Sequence, residues 1–136
     1  MANRYVEAEL LMAIWKLGSD NERLPTSHGI LDRALFECRD DLPAALRDNL
    51  HFGQTNVGLR CYELPDILLA AQDALLTSEP NPTYLSTNVM IDEEMARRIA
   101  VRNGLSTKVA REIGGRLNHR AAMLRDTTEN TSHFAA

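Results

Sequence analysis

Residues 3–18 read NRYVEAELLMAIWKLG, and their apolar spacing predicts a helix over residues 3–17 that begins near Asn3 and ends at Gly18. The apolar stripe of this helix consists of Val6, Leu10, Ala13, Ile14 and Leu17, and Leu11, Met12 and Trp15 widen it. A helix that is apolar on several sides is typical of the centre of a core or of a dimer interface. The apolar run over residues 10–15 is too short to cross a bilayer.

Five further helices are predicted on the C-terminal side of this segment. They begin around Thr26 or Ser27, at Asp41, at Pro65, at Asp92 and at Ser106, where capping residues or an early proline precede apolar repeats. Their predicted buried positions are Ile30, Leu31, Ala34, Leu35, Cys38, Leu42, Leu46, Leu50, Ile67, Leu68, Ala71, Leu75, Leu76, Met95, Ile99, Ala100, Val109, Ile113, Leu117, Ala121 and Leu124. Short strands are predicted over residues 57–62 and 84–91. We expect a mainly α fold with about six helices and one or two short β-strands.

The proline-rich stretch SEPNPT at residues 78–83 is the best candidate for an internal boundary. We therefore expect an acidic helical part over residues 1–78, a strand-helix-helix part over residues 84–125 and a flexible tail over residues 126–136. The start of the chain lacks a secretory signal pattern, which predicts a soluble cytoplasmic protein without a membrane partner. In such a protein, Cys38 and Cys61 are expected to be buried free thiols rather than a disulfide.

Basic residues are concentrated in the C-terminal third of the chain. Residues 1–91 contain 7 Lys and Arg against 13 Asp and Glu, whereas residues 92–136 contain 8 against 6. Between Ala96 and Arg125 the only acidic residue is Glu112. This asymmetry favours a basic surface on one part of the molecule. A solvated helical face that carries ordinary arginines is the alternative interpretation.

Residues 84–125 contain, in order, the alternating segment YLSTNVMI, the amphipathic segment DEEMARRIAVRN and the turn GLSTKVAREI, with Gly104 and Ser106 in a Gly-x-Ser arrangement. This order resembles the ribbon-helix-helix module of small bacterial and phage repressors and antitoxins. The resemblance implies an obligate homodimer whose paired strands enter the major groove of DNA. One departure is Gly114-Gly115, where the family packs larger side chains. These glycines indicate either a close approach of another helix or a break in the last helix.

The resemblance also assigns roles to individual residues. The outward side chains of the strand, Ser86 and Asn88, are candidates for contacts with base edges. The backbone N–H groups of Ser106 and Thr107, together with Lys108, suit a phosphate. Attraction that does not depend on DNA sequence is assigned to Arg97, Arg98, Arg102 and Arg111.

Two other interpretations of the same residues remain open. A helix-turn-helix would use Ala100 and Gly104, with a recognition helix from Ser106. That motif expects a larger aliphatic residue six positions after the glycine, where Ala110 stands. The third interpretation is a cap and turn between two ordinary packed helices.

No pattern in the sequence points to catalysis, a metal or a cofactor. The possible ligands His28, Cys38, His51 and Cys61 lack the short pair spacings of zinc sites. Glycine-rich phosphate loops and paired-carboxylate motifs are not found. We therefore expect a non-enzymatic protein without cofactors. The leading hypothesis is a dimeric DNA-binding transcriptional regulator. The alternative is a protein interaction module, such as an antitoxin, immunity or inhibitor protein, whose acidic N-terminal part binds a basic partner.

Overall fold

The computed structural model describes residues 3–19, 23–26, 29–78 and 86–135, with the backbone alone for residues 127–135. These residues form a mainly α fold, as the sequence predicts. The described residues contain six α-helices: α1 (Arg4–Leu17), α2 (Ile30–Glu37), α3 (Ala44–Arg47), α4 (Leu64–Asp73), α5 (Glu93–Arg102) and α6 (Thr107–Ala135). Four short strands, β1 (Arg23–Pro25), β2 (Phe52–Thr55), β3 (Gly58–Cys61) and β4 (Ser86–Asn88), form two separate antiparallel pairs, β1 with β4 and β2 with β3.

Helix α1 lies at the centre of the core. The side chain of Asn3 caps its start by accepting hydrogen bonds from the N–H groups of Tyr5 and Val6, and Gly18 ends it. All side chains over residues 10–15 are buried because α4, α5 and α6 pack around the helix. The breadth of its apolar surface is thus explained by the core of one chain, without a dimer interface.

Helix α6 crosses the C-terminal end of α1 at the two glycines. A Cβ atom at Gly114 would lie closer than 3.0 Å to the carbonyl oxygen of Ile14 and would also crowd the backbone of Gly18. Asn118 then donates to the carbonyl oxygen of Trp15 at 3.2 Å, which satisfies an acceptor at the end of α1. Gly114 therefore permits a close approach of two helices, and α6 is not broken at this pair of glycines.

The predicted boundary at residues 78–83 does not separate two cores. Helix α1 packs against α4 from the predicted N-terminal part and against α5 and α6 from the predicted C-terminal part. One apolar cluster accordingly contains buried side chains from both parts. Residues 79–85, which include most of this stretch and Tyr84 of the predicted strand, lie outside the described residues.

Strand β4 is paired inside the chain on both of its edges. On one edge it pairs with β1, in the register Arg23↔Asn88, Leu24↔Thr87 and Pro25↔Ser86. On the other edge the N–H of Ser78 donates to the carbonyl oxygen of Asn88 at 2.9 Å, and the N–H of Met90 donates to Leu76 at 2.8 Å. Of the strand expected over residues 84–91, residues 86–88 form β4, and the loop expected over residues 19–24 contains part of its partner.

Four residues that the sequence places in the core are exposed: Val6 (38%), Leu75 (80%), Met95 (48%) and Val109 (41%). Leu75 follows the end of α4 with φ +61°, so its side chain leaves the apolar side of that helix. Ala96 and Ala110 take the core positions expected of Met95 and Val109. Small side chains at these positions allow α5 and α6 to approach α1.

Several helix boundaries also differ from the sequence prediction. Helix α3 begins at Ala44 after Pro43, rather than after a cap at Asp41. Helix α2 begins at Ile30 after the left-handed residue Gly29, rather than at Thr26 or Ser27. Helix α6 continues to Ala135, whereas the sequence predicts its end near Arg125 and a tail over residues 126–136.

Candidate functional site

Helices α5 and α6 are joined by a tight turn at residues 103–106 that local sequence signals specify. Asp92 caps α5 by accepting the N–H of Met95 at 2.7 Å. Gly104 adopts φ +78°, and the N–H of Leu105 donates back to the carbonyl oxygen of Ala100 at 2.9 Å. Ser106 caps α6 by accepting the N–H of Val109 at 3.2 Å. These contacts fix where the second helix begins.

Both helices pack against α1, so that α1, α5 and α6 form a three-helix unit. Ile99 and Ala100 of α5 and Ala110 and Ile113 of α6 are buried in it. Ala110 lies six positions after Gly104, and it occupies the inward position that a helix-turn-helix requires there. We call residues 93–116 the helix pair.

The arginines of the C-terminal third are largely paired with carboxylates. Six of the eight basic residues between Ala96 and Arg125 have an acidic partner: Arg98–Glu94, Arg102–Glu9, Arg111–Glu93, Arg116–Asp41, Arg120–Glu37 and Arg125–Asp126. Arg97 and Lys108 have no carboxylate partner within 4.0 Å in the part of the chain that the structure describes. The basic surface expected from the sequence is therefore mostly neutralised at short range.

Several of these ion pairs connect separate elements of the fold. Hydrogen bonds from the Arg120 guanidinium lower the pKa of Glu37, and this pair ties α6 to α2. A hydrogen bond from Arg111 likewise lowers the pKa of Glu93 and ties α6 to the start of α5. Both carboxylates are thus held in the charged form.

The structure brings seven of the nine predicted site residues together and separates two. Arg97, Arg98, Arg102, Ser106, Thr107, Lys108 and Arg111 all lie on the helix pair. Ser86 and Asn88 lie on β4. Ser86 is only 7% exposed, so it is not available to contact a base edge, while the side chain of Asn88 is exposed. The ribbon that the resemblance implies would need a free edge on β4, and β1 and residues 76–78 occupy both edges.

A polar cleft was missed by sequence reasoning. It lies where α1 ends beside the start of α5, and Lys16, Gly18, Asp92, Glu93 and Arg111 contribute to its lining. Cations and carboxylates are both present, so the cleft does not favour a ligand of one charge. These residues come from three separate segments, and no local pattern connects them.

Both cysteines are buried and are not joined in a disulfide. Burial raises the pKa of the Cys61 thiol to about 12, and burial also raises the pKa of Cys38.

The carboxylate of Glu63 makes two hydrogen bonds with His51, one with its backbone N–H at 2.6 Å and one with its imidazole ring at 2.7 Å. Because His51 precedes β2 and Glu63 follows β3, these bonds hold the base of the β2–β3 hairpin together. No group of three or more metal-ligating side chains is found among the described residues, which do not include His28.

Comparison with known proteins gives no further guidance. No protein-family model, curated protein or solved structure matches this chain. None of the described helices is both long enough and apolar enough to span a bilayer.

Proposed function

We propose that this chain is a DNA-binding regulator that uses the helix pair as a helix-turn-helix, with the first two turns of α6 in the major groove. The observation that carries the proposal is the orientation of α6. Ala110 and Ile113 face the core, and Lys108, Arg111 and Glu112 face solvent. The major groove admits an α-helix, and the exposed residues of its N-terminal turns contact base edges.

The charges of the helix pair are compatible with this role. Lys108 at the start of α6 and Arg97 on α5 are available for phosphates. Arg111 and Arg102 are held by Glu93 and Glu9, but an exposed ion pair contributes only about 0–1 kcal/mol, so phosphates can compete for both arginines. Backbone N–H groups at the N-terminus of α6 add a further phosphate contact.

Binding to a random-sequence DNA duplex at two salt concentrations tests the proposal. The affinity should fall steeply with salt, and Lys108→Ala and Arg97→Ala should each weaken binding to all sequences and reduce the salt slope by about one. Arg47→Ala is the control, because it removes an exposed positive charge from α3, outside the helix pair. Fluorescence anisotropy provides the measurement, and failure of the wild-type protein to bind at low salt would exclude the proposal.

Protein binding by the helix pair is the second candidate function. It is favoured by Val101, which is 63% exposed on α5, and by the carboxylates that neutralise the nearby arginines. A protein partner buries exposed apolar side chains, whereas DNA phosphates require net positive charge. An interaction module such as an antitoxin or inhibitor would bind its partner through this surface.

A further inference from the structure

The β2–β3 hairpin has one covered edge and one open edge. On the covered side, the N–H of Cys61 in β3 donates to the buried carboxylate of Asp32 in α2 at 2.8 Å. On the open side, no described residue pairs with the backbone of β2 other than β3 itself. An edge of this kind presents unpaired N–H and C=O groups to any strand that can align with it.

The register of the hairpin identifies the groups on the open edge. The N–H of Tyr62 donates to the carbonyl oxygen of His51 at 2.9 Å, and hydrogen-bonded pairs alternate along an antiparallel ladder. Gly53 and Thr55 therefore bond toward β3, whereas the N–H and C=O groups of Phe52 and Gln54 point away from it. The outward N–H of Cys61, which stands opposite Phe52, agrees with this alternation.

We propose that the open edge of β2 pairs with the same edge of a second copy of this chain and forms a four-stranded antiparallel sheet. The two-fold axis lies at Gly53. Phe52 of each copy then faces Gln54 of the other, and the outward groups of both residues bond reciprocally. Gly53 faces its own equivalent at a position without hydrogen bonds, where Cα atoms approach to about 4.5 Å.

Three features of the edge favour a second copy as the occupant. The strand FGQT contains neither the lysine nor the proline that commonly protects an open edge. Since Gly53 faces its own equivalent and Phe52 faces Gln54, no charged side chains meet across the axis. The side chain of Tyr62 is 58% exposed and covers Gly53, where an added Cβ atom would collide with the Tyr62 hydroxyl group. The Tyr62 ring therefore lies beside the proposed two-fold axis.

The interface of one four-residue strand is small. Stable complexes bury roughly 1,200–2,000 Å² in total, and this edge offers less. The dimer is therefore expected to be weak and to dissociate on dilution. It does not depend on DNA binding, so Lys108→Ala should leave it unchanged.

Sedimentation velocity over a range of protein concentrations tests the proposal. The wild-type chain should shift from monomer to dimer as concentration rises. Gln54→Pro removes an N–H that the hairpin ladder does not use, and should raise the dissociation constant about tenfold or more. Gln54→Ala keeps that N–H and is the matched control, which should dimerise like the wild type.

A charge on the edge gives an independent test if proline disturbs the hairpin. Gln54→Lys brings two positive charges close to the axis and should also weaken the dimer, with a smaller effect at high salt. Circular dichroism verifies that each variant is folded. A wild-type protein that stays monomeric at every concentration overturns the proposal. A dimer that survives in folded Gln54→Pro or Gln54→Lys protein places the interface elsewhere and also overturns it.

Discussion

Gly114 and Gly115 are adjacent in α6, yet their surroundings differ sharply. A Cβ at Gly114 would press on the backbone of Ile14 and Gly18, which cannot move without displacing α1. The nearest atom to a Cβ at Gly115 is the carbonyl oxygen of Gly18 at 3.9 Å, which is an ordinary contact. The first glycine is required by packing, while the second carries only the entropic cost of glycine in a helix.

Alanine substitutions at these two positions should therefore have opposite effects. Gly114→Ala is expected to lower the free energy of unfolding by about 1–3 kcal/mol, because overpacking separates α6 from α1. Gly115→Ala, its matched control, should raise the free energy of unfolding by about 0.5–1 kcal/mol. Urea denaturation measures both changes. Equal changes in the two variants would show that the helices do not meet at Gly114.

Ion pairs and hydrogen bonds between elements act at the next scale. Glu37 fastens α2 to α6 through Arg120, and Glu63 fastens the base of the hairpin through His51. Burial by itself raises the pKa of Glu63, but hydrogen bonds from the backbone N–H and ring of His51 outweigh it and leave the pKa below 4.5. The folded state therefore favours the ionised form of both carboxyl groups.

Acid should consequently weaken the folded protein. Because the pKa values of Glu37 and Glu63 are lower in the folded state than in the unfolded chain, their stabilisation is complete above the usual value of 4.5. It is lost as the pH falls from there through the folded-state values. Denaturation at a series of pH values from 7 to 2 should show this loss, and Glu63→Gln should reduce it. Parallel pH profiles for the variant and the wild type would contradict the assignment.

At the scale of the whole molecule, α1 joins the two parts of the chain. A fragment of residues 1–78 should not fold, because the sides of α1 that contact α5 and α6 would be exposed to water. A fragment of residues 1–126 is the matched control, since it retains Leu117, Ala121 and Leu124 of α6 and should unfold cooperatively. Circular dichroism during thermal unfolding compares them. Cooperative unfolding of the shorter fragment would indicate an independent domain.

The sequence by itself determined the elements that depend on local signals. The bounds of α1 and α5, the caps at Asn3 and Asp92, and the turn at Gly104 follow from hydrogen bonds between residues close in the chain. Mainly α architecture follows from the same periodicity. Local signals do not specify which face each helix turns inward, because neighbouring residues differ by only about 100° around the axis. Met95 and Val109 were therefore placed in the core in error.

Only the tertiary structure decided the contacts between distant residues. It placed β1 beside β4, matched the arginines of α5 and α6 with carboxylates from other elements, and brought Gly114 against Ile14. Each of these depends on how whole helices dock, which is set by the sum of many weak apolar contacts over the core. Caps and apolar periods specify where an element begins and ends, but they contain no information about which distant surface it will meet.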